Sequence, residues 1–125
     1  MENFTETPET EFDKADIDAN KTYAILAYLG ILFLVPLLAA PESPFAKFHA
    51  NQGAVLFIAS IILGVGGAIA SAILNFIPII GGLFGWLVTT VVFVGAVLFI
   101  ILGTINAANG QAKELPVIGK FKLIK

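Results

Sequence analysis

The fold is decided by residues 53–105, GAVLFIASIILGVGGAIASAILNFIPIIGGLFGWLVTTVVFVGAVLFIILGTI. This stretch contains no Lys, Arg, Asp or Glu, and the uncharged run continues outward on both sides as far as Lys47 and Lys113. About 20 consecutive apolar residues are enough to cross the hydrocarbon core of a bilayer. A soluble domain could not cover so long a run with polar surface. The stretch therefore predicts membrane-spanning helices rather than a water-soluble helical core.

Three apolar segments follow from the same reasoning. The second and third cover residues 53–77 and 83–105, and the connector of residues 78–82 is so short that the two should form an antiparallel hairpin. The first covers residues 22–40 and is the weakest, because Pro36 removes a helical hydrogen bond. Over the whole chain 58% of residues are hydrophobic and 13% are charged, against about 45–50% and 25% in soluble domains. We predict an all-α membrane protein with about three transmembrane helices.

The N-terminal segment differs from the rest in composition. Residues 1–21 carry seven acids against two lysines, which is unlike a secretory signal or a transit peptide. Such a segment has too few large apolar residues to form a core. The sequence thus predicts an acidic, disordered tail at residues 1–20, a transmembrane domain at residues 21–125 and retention of the first apolar segment as an anchor.

Short polar segments flank the predicted spans. Ser43 followed by Pro44 is typical of a helix N-cap and first helical position. We predict an amphipathic interfacial helix there that leads into the second span. Asn109-Gly110 predicts the end of the last helix. The apolar, lysine-containing residues 111–125 should lie along the lipid headgroups.

Lysine counts indicate an orientation. With three spans, residues 41–52 and the C-terminus share one side and hold five lysines, whereas the N-terminal tail and residues 78–82 hold two. The positive-inside rule then places the C-terminus in the cytoplasm and the tail outside. If the first segment only dips into the membrane, the tail returns to the cytoplasm. The absence of an organellar presequence favours a bacterial cytoplasmic membrane.

Small residues recur at helical spacing in the second span. Such rows allow helix backbones to approach closely in lipid, where Ser can also bond across the contact. Packing within the monomer is favoured over an oligomer or partner seam, which stays open. The predicted helix-packing residues are Ser60, Gly64, Gly67, Ala68 and Ser71.

The sequence shows no pattern for catalysis or ligand binding. The chain has no cysteine and one histidine, His49, whereas metal sites need several ligands at set spacing. No nucleophile–base set, phosphate loop or intramembrane charge is present. We therefore expect no enzyme activity, cofactor, metal, nucleic acid or small-molecule substrate, and the lipid bilayer as the main partner.

Several short motifs together point to a family. The segments are AILAYL at 24–29, ESPF at 42–45, FHANQG at 48–53, NAANG at 106–110 and ELP at 114–116. Over residues 20–125 the chain resembles the DUF4870, or Tic20-like, family of small membrane proteins. The resemblance implies a helical membrane protein. The family is named for a chloroplast import component, and it includes magnetosome membrane proteins that affect mineral growth. The chloroplast relatives have four helices, so import is not transferred to this chain.

Two functional hypotheses remain. The first is a non-enzymatic interaction or scaffold subunit of a membrane complex, as a homo-oligomer or with a membrane-protein partner. The second is an oligomeric channel or translocation component, in which the small-residue row or Asn75 faces a shared path. For the first hypothesis, the predicted interaction surface consists of Phe45, Phe48, His49, Asn51, Gln52, Asn106 and Asn109.

Overall fold

The computed structural model describes residues 9–124 of the chain, and this range contains four α-helices. In chain order the elements are β1 (Glu9–Thr10), α1 (Lys14–Leu26), a 3-10 helix (Gly30–Phe33), α2 (Leu34–Ala39), α3 (Pro44–Leu74), α4 (Ile80–Ala108) and β2 (Ala112–Lys113). The two short strands pair antiparallel, Glu9 opposite Lys113 and Thr10 opposite Ala112. The described part of the protein is therefore helical, with one two-residue ladder joining its two ends.

The ends of the long helices follow local chemistry. Ser43 caps α3, since its Oγ accepts a hydrogen bond from the Ala46 backbone N–H at 3.0 Å, and Pro44 occupies the first turn. This confirms the predicted helix start. At the other end, α4 stops at Ala108, and Gly110 takes a positive φ of 72°. Glycine adopts this left-handed conformation without steric cost, so the predicted helix stop is confirmed as well.

Helices α3 and α4 are the two helices within residues 9–124 that are long and apolar enough to cross a membrane. In their most apolar 18-residue stretches only 22% and 6% of the residues, respectively, are buried within the protein. A core helix of a soluble protein would be largely covered by its own chain. These helices instead expose large apolar side chains along most of their length, as a lipid-facing surface does.

The predicted first span is not one helix, so the count of three spans is not supported. Residues 22–40 are divided among the end of α1, the 3-10 helix and α2. The chain turns at Gly30, whose φ is 63°, and the fully buried Ala27 and Tyr28 pack into the core. The side chains of an apolar segment can be buried against neighbouring helices as well as in lipid. In this protein the first half of the segment is buried against the other helices.

The boundary predicted at residue 20 also differs from the structure. Helix α1 begins at Lys14 and crosses that boundary, so residues 14–20 are helical rather than part of a disordered tail. The partly buried Phe12 and Ile17 pack against the core. Residues 1–8 of the predicted tail lie outside the described residues.

The core sits at one end of the α3–α4 pair. We call this end the headpiece: residues 9–56, which run from β1 to the first part of α3, residues 103–108 of α4 and the C-terminal residues 109–124. The predicted interfacial helix is the beginning of α3, continuous with the second apolar segment, and most of its side chains are buried in the headpiece. The buried apolar side chains of the headpiece core are Ala24, Ala27, Tyr28, Phe45, Leu56, Ala107, Ala112 and Leu115.

Candidate functional site

The polar side chains of the headpiece converge on the C-terminal segment, residues 111–124, which we call the strap. Beyond β2 the strap has no helix or strand of its own. Its backbone groups therefore need partners from elsewhere, because buried N–H and C=O groups are costly when unpaired. Two consecutive side chains at the start of α3 supply most of these partners.

Gln52 and Asn51 bind the strap backbone. The fully buried Gln52 donates from Nε2 to the Gly119 carbonyl at 2.9 Å and accepts at Oε1 from the Leu115 N–H at 2.8 Å. Asn51 donates from Nδ2 to the Phe121 carbonyl at 2.8 Å. Its Oδ1 accepts from two further backbone N–H groups, at 2.6 and 2.9 Å. We call this pair the amide clamp; it holds the strap against α3 over about ten residues.

His49 joins three segments of the headpiece one turn earlier on α3. Its Nε2 lies 2.9 Å from the Gln111 carbonyl and its Nδ1 lies 2.5 Å from the Tyr28 hydroxyl. A carbonyl can only accept, so Nε2 carries the proton in that bond, and Nδ1 of the neutral ring accepts from the tyrosine. The ring is fully buried. Both of its nitrogens are occupied within the chain, which leaves neither for a metal ion.

Asp16 reinforces the start of α3 from α1. Its carboxylate accepts from the Ser43 hydroxyl at 2.5 Å, from the Phe45 N–H at 3.0 Å and from Asn20 Nδ2 at 2.9 Å. The positive end of a helix dipole attracts such a carboxylate. Asp16 therefore acts as a second cap on α3 and ties α1 to it.

The structure places most of the predicted interaction residues inside the headpiece. Five of them are buried, Phe48 is half-buried and Asn109 is exposed at the end of α4. The amides and the imidazole of α3 bind the protein's own strap and so are not presented to a partner in this arrangement. Their role as a partner surface stays a prediction. The buried five are Phe45, His49, Asn51, Gln52 and Asn106.

The predicted helix-packing residues separate into two groups. A Cβ added to Gly67 would lie 2.5 Å from Val88 Cγ1 of α4, and one added to Gly85 would lie 3.0 Å from Ser71 Oγ. These positions face the α3–α4 contact. A Cβ at Gly64 would meet nothing within 4 Å. Gly64 instead lines, with Ala68, a shallow apolar groove of about 330 Å³ open to the outside; Ser60 lines a second apolar groove.

Sequence reasoning missed the long-range partners of this cluster. The sequence predicts Asp16 to be part of a disordered tail and Tyr28 to be part of the first apolar segment. Asp16 and Asn20 are one helical turn apart, and this spacing is typical of a helix such as α1. No residue near Asp16 in the sequence indicates that its carboxylate contacts Ser43. Within residues 9–124 no group of three or more His, Cys, Asp or Glu could hold a metal ion. The contacts of the cluster bind backbone groups and join α1, α3 and the strap.

Comparison with known proteins identifies the relatives. The profile of the magnetosome magnetite crystal formation protein family matches residues 19–122. Magnetosome protein MamF of Paramagnetospirillum magneticum is 34% identical over 97 residues, covering 77% of this chain and 76% of its own. A UPF0132 membrane protein of Methanocaldococcus jannaschii is 34% identical over 105 residues, covering 83% of this chain and 81% of its own.

Coverage is not equal for all relatives. Another UPF0132 membrane protein of the same archaeon is 32% identical over 97 residues, 76% of this chain, and the match spans only 61% of that relative's length. No solved structure matches the chain.

The predicted DUF4870, or Tic20-like, assignment is wrong, because the family profile and the relatives both indicate the magnetosome family instead. The protein belongs to the magnetosome magnetite crystal formation family, which is typified by MamF and MmsF.

Proposed function

We propose that the chain is a non-enzymatic membrane protein whose α3 and α4 cross the bilayer as an antiparallel hairpin and hold the headpiece at one membrane face. The main observation behind the proposal is that the protein divides into the packed headpiece, which contains the charged residues, and two helices whose apolar side chains are exposed. The relatives' description as membrane proteins agrees with this division.

The geometry of α3 and α4 supports a hairpin. Gly67 of α3 lies against Val88, and Ser71, one turn later in α3, lies against Gly85, one turn earlier in α4. This order is that of helices running in opposite directions. Outside the headpiece, residues 57–74 of α3 and residues 80–102 of α4 span about 27 and about 35 Å, respectively, at 1.5 Å per residue, which is close to a hydrocarbon core of about 30 Å. The 3-10 helix and α2 are too short to cross and rest beside α3, with Leu38 facing outward.

Charge supports an orientation that differs from the one predicted for three spans. All seven lysines fall outside residues 48–112, and two spans bring the segments on both sides of that range to the same face. The opposite end is the turn at residues 75–79, which has no charged residue. By the positive-inside rule the headpiece lies in the cytoplasm, and α1 lies there with it.

The headpiece is the only part of the described protein that can present charge to a partner. Exposed acids lie on and around α1, at Glu11, Asp13 and Asp18, and Glu42 is exposed before α3. A surface of this kind suits a basic segment of a partner protein. We propose that the protein acts as an interaction or scaffold subunit of a membrane complex. In the magnetosome relatives such a complex would serve crystal formation, which is the role in the family's description.

Cross-linking in native membranes tests this role. An amine-reactive cross-linker applied to membranes with a tagged copy should join Lys14 or Lys21 to a stoichiometric foreign protein. The triple variant Asp13→Asn, Asp18→Asn and Glu42→Gln should lose those products and keep its membrane fraction. Products that are unchanged in the variant would contradict the acidic surface as the contact. Products between copies alone would contradict a foreign partner.

A further inference from the structure

A groove at the junction of α3 and the strap has the features of a lipid site. It holds about 250 Å³. Its α3 wall and its strap wall are both apolar, and it opens onto the exposed side of α3. The lining residues are Val55, Ile58, Ala59, Ile62, Ile118, Phe121 and Leu123.

The strap wall of this groove is fixed in place. The amide clamp binds the backbone of Gly119, Phe121 and Leu123, and the side chains of the last two form part of the wall. Ile118 also lines a neighbouring groove of about 300 Å³ between α3 and α4. A preformed wall lowers the cost of ordering a ligand. The groove is thus part of the folded headpiece and not a gap between mobile segments.

A lysine stands at the mouth of the groove. Lys120 is exposed, and its Nζ lies 5.8 Å from the centre of the Phe121 ring, which lines the groove. The neighbouring Lys122 is paired with Glu114 at 2.8 Å. Within residues 9–124 no carboxylate pairs with Lys120 in the same way. An apolar groove below a cation at the membrane face matches the two halves of an anionic phospholipid.

We propose that this groove binds one anionic phospholipid, with an acyl chain along Ile58, Ala59 and Ile62 and the phosphate beside Lys120. Val117 adds an apolar contact to the surrounding lipid, because its side chain is 80% exposed on the strap beside the groove. The inference rests on the proposed membrane placement of α3, which extraction of the same membranes with alkaline carbonate tests separately.

Native mass spectrometry of the full chain, released from detergent micelles, tests the site. The probes are phosphatidylglycerol and phosphatidylcholine with identical acyl chains. The unaltered chain should retain one phosphatidylglycerol in preference to phosphatidylcholine. Lys120→Gln should reduce that preference about fivefold, the effect of one lysine near a charged lipid surface. Lys14→Gln, an exposed lysine of α1 outside the groove, should leave it unchanged.

A second variant tests the apolar half. Ala59→Leu should reduce retention of both lipids by filling the groove, in protein whose helical circular dichroism is unchanged. Equal retention of the two lipids by the unaltered chain, or equal loss in the two lysine variants, would overturn the proposal. Displacement of the bound lipid by inorganic phosphate would show a simple anion site instead. Dimers that disappear in Ala59→Leu would show that a second copy occupies the groove. A carbonate-extractable chain would refute the membrane placement instead.

Discussion

Replacing Gln52 with Leu should release the strap while leaving the transmembrane pair intact. The two side chains are similar in size, so the change removes two hydrogen bonds with little change in volume. The Leu115 N–H and the Gly119 carbonyl, bonded at 2.8 and 2.9 Å in the native protein, would lose their partners in a buried environment. Each unsatisfied buried group costs about 1–3 kcal/mol. The strap should therefore be destabilised by about 2–6 kcal/mol.

Hydrogen exchange followed by mass spectrometry measures this loss directly. Amides of a locally opening segment exchange at rates set by the free energy of opening. A loss of 2 kcal/mol corresponds to about 30-fold faster exchange, so peptides that cover residues 111–124 should exchange at least about 30-fold faster in Gln52→Leu. Peptides from the middle of α3 and α4 should not change.

A matched control separates the clamp from a general effect of losing an amide. Asn75→Leu makes the same kind of change at an exposed position after the last residue of α3. It should leave strap exchange unchanged. If Gln52→Leu exchanges at the native rate across residues 111–124, the amide clamp does not hold the strap and our assignment of the site fails.

Three further predictions, made for four variants, are tested by thermal unfolding in detergent. Tyr28→Phe removes the hydroxyl bonded to His49 and should cost about 1–3 kcal/mol, whereas an unchanged midpoint would contradict that bond. Asp16→Ala leaves the buried polar groups at the start of α3 without their acceptor and should cost a similar amount; native stability would show that solvent replaces it. Gly67→Ala should destabilise the helix pair because of its 2.5 Å clash, and Gly64→Ala should not; equal effects would contradict the distinction between them.

Local chemistry made part of the fold predictable. The cap at Ser43 and the stop at Asn109-Gly110 depend on residues within one turn of each other, and both occur in the structure. The uncharged run of residues 53–105 likewise contains most of α3 and α4. Such features can be predicted from the sequence because they depend only on residues that are close together in it.

The remaining features depend on distant partners. Gln52 bonds residues 63 and 67 positions away, so its sequence neighbourhood shows a polar residue beside a predicted span but not what it binds. The sequence therefore predicts Gln52 to be part of an interaction surface and does not predict its contacts with the strap. The prediction of a membrane span at residues 22–40 was wrong for a similar reason. Hydropathy alone does not distinguish a span from a segment that folds back, and the turn at Gly30 decided between them.

The arrangement of two spans with the whole headpiece on one face is tested most directly by cysteine labelling. The chain has no cysteine of its own, so single cysteines can be placed at the exposed Asp18, Glu42 and Phe76 and treated with a membrane-impermeant maleimide. We predict that Asp18→Cys and Glu42→Cys label only from the cytoplasmic side and that Phe76→Cys labels only from the other. Labelling of Asp18→Cys on the same side as Phe76→Cys would restore three spans and contradict the proposed topology.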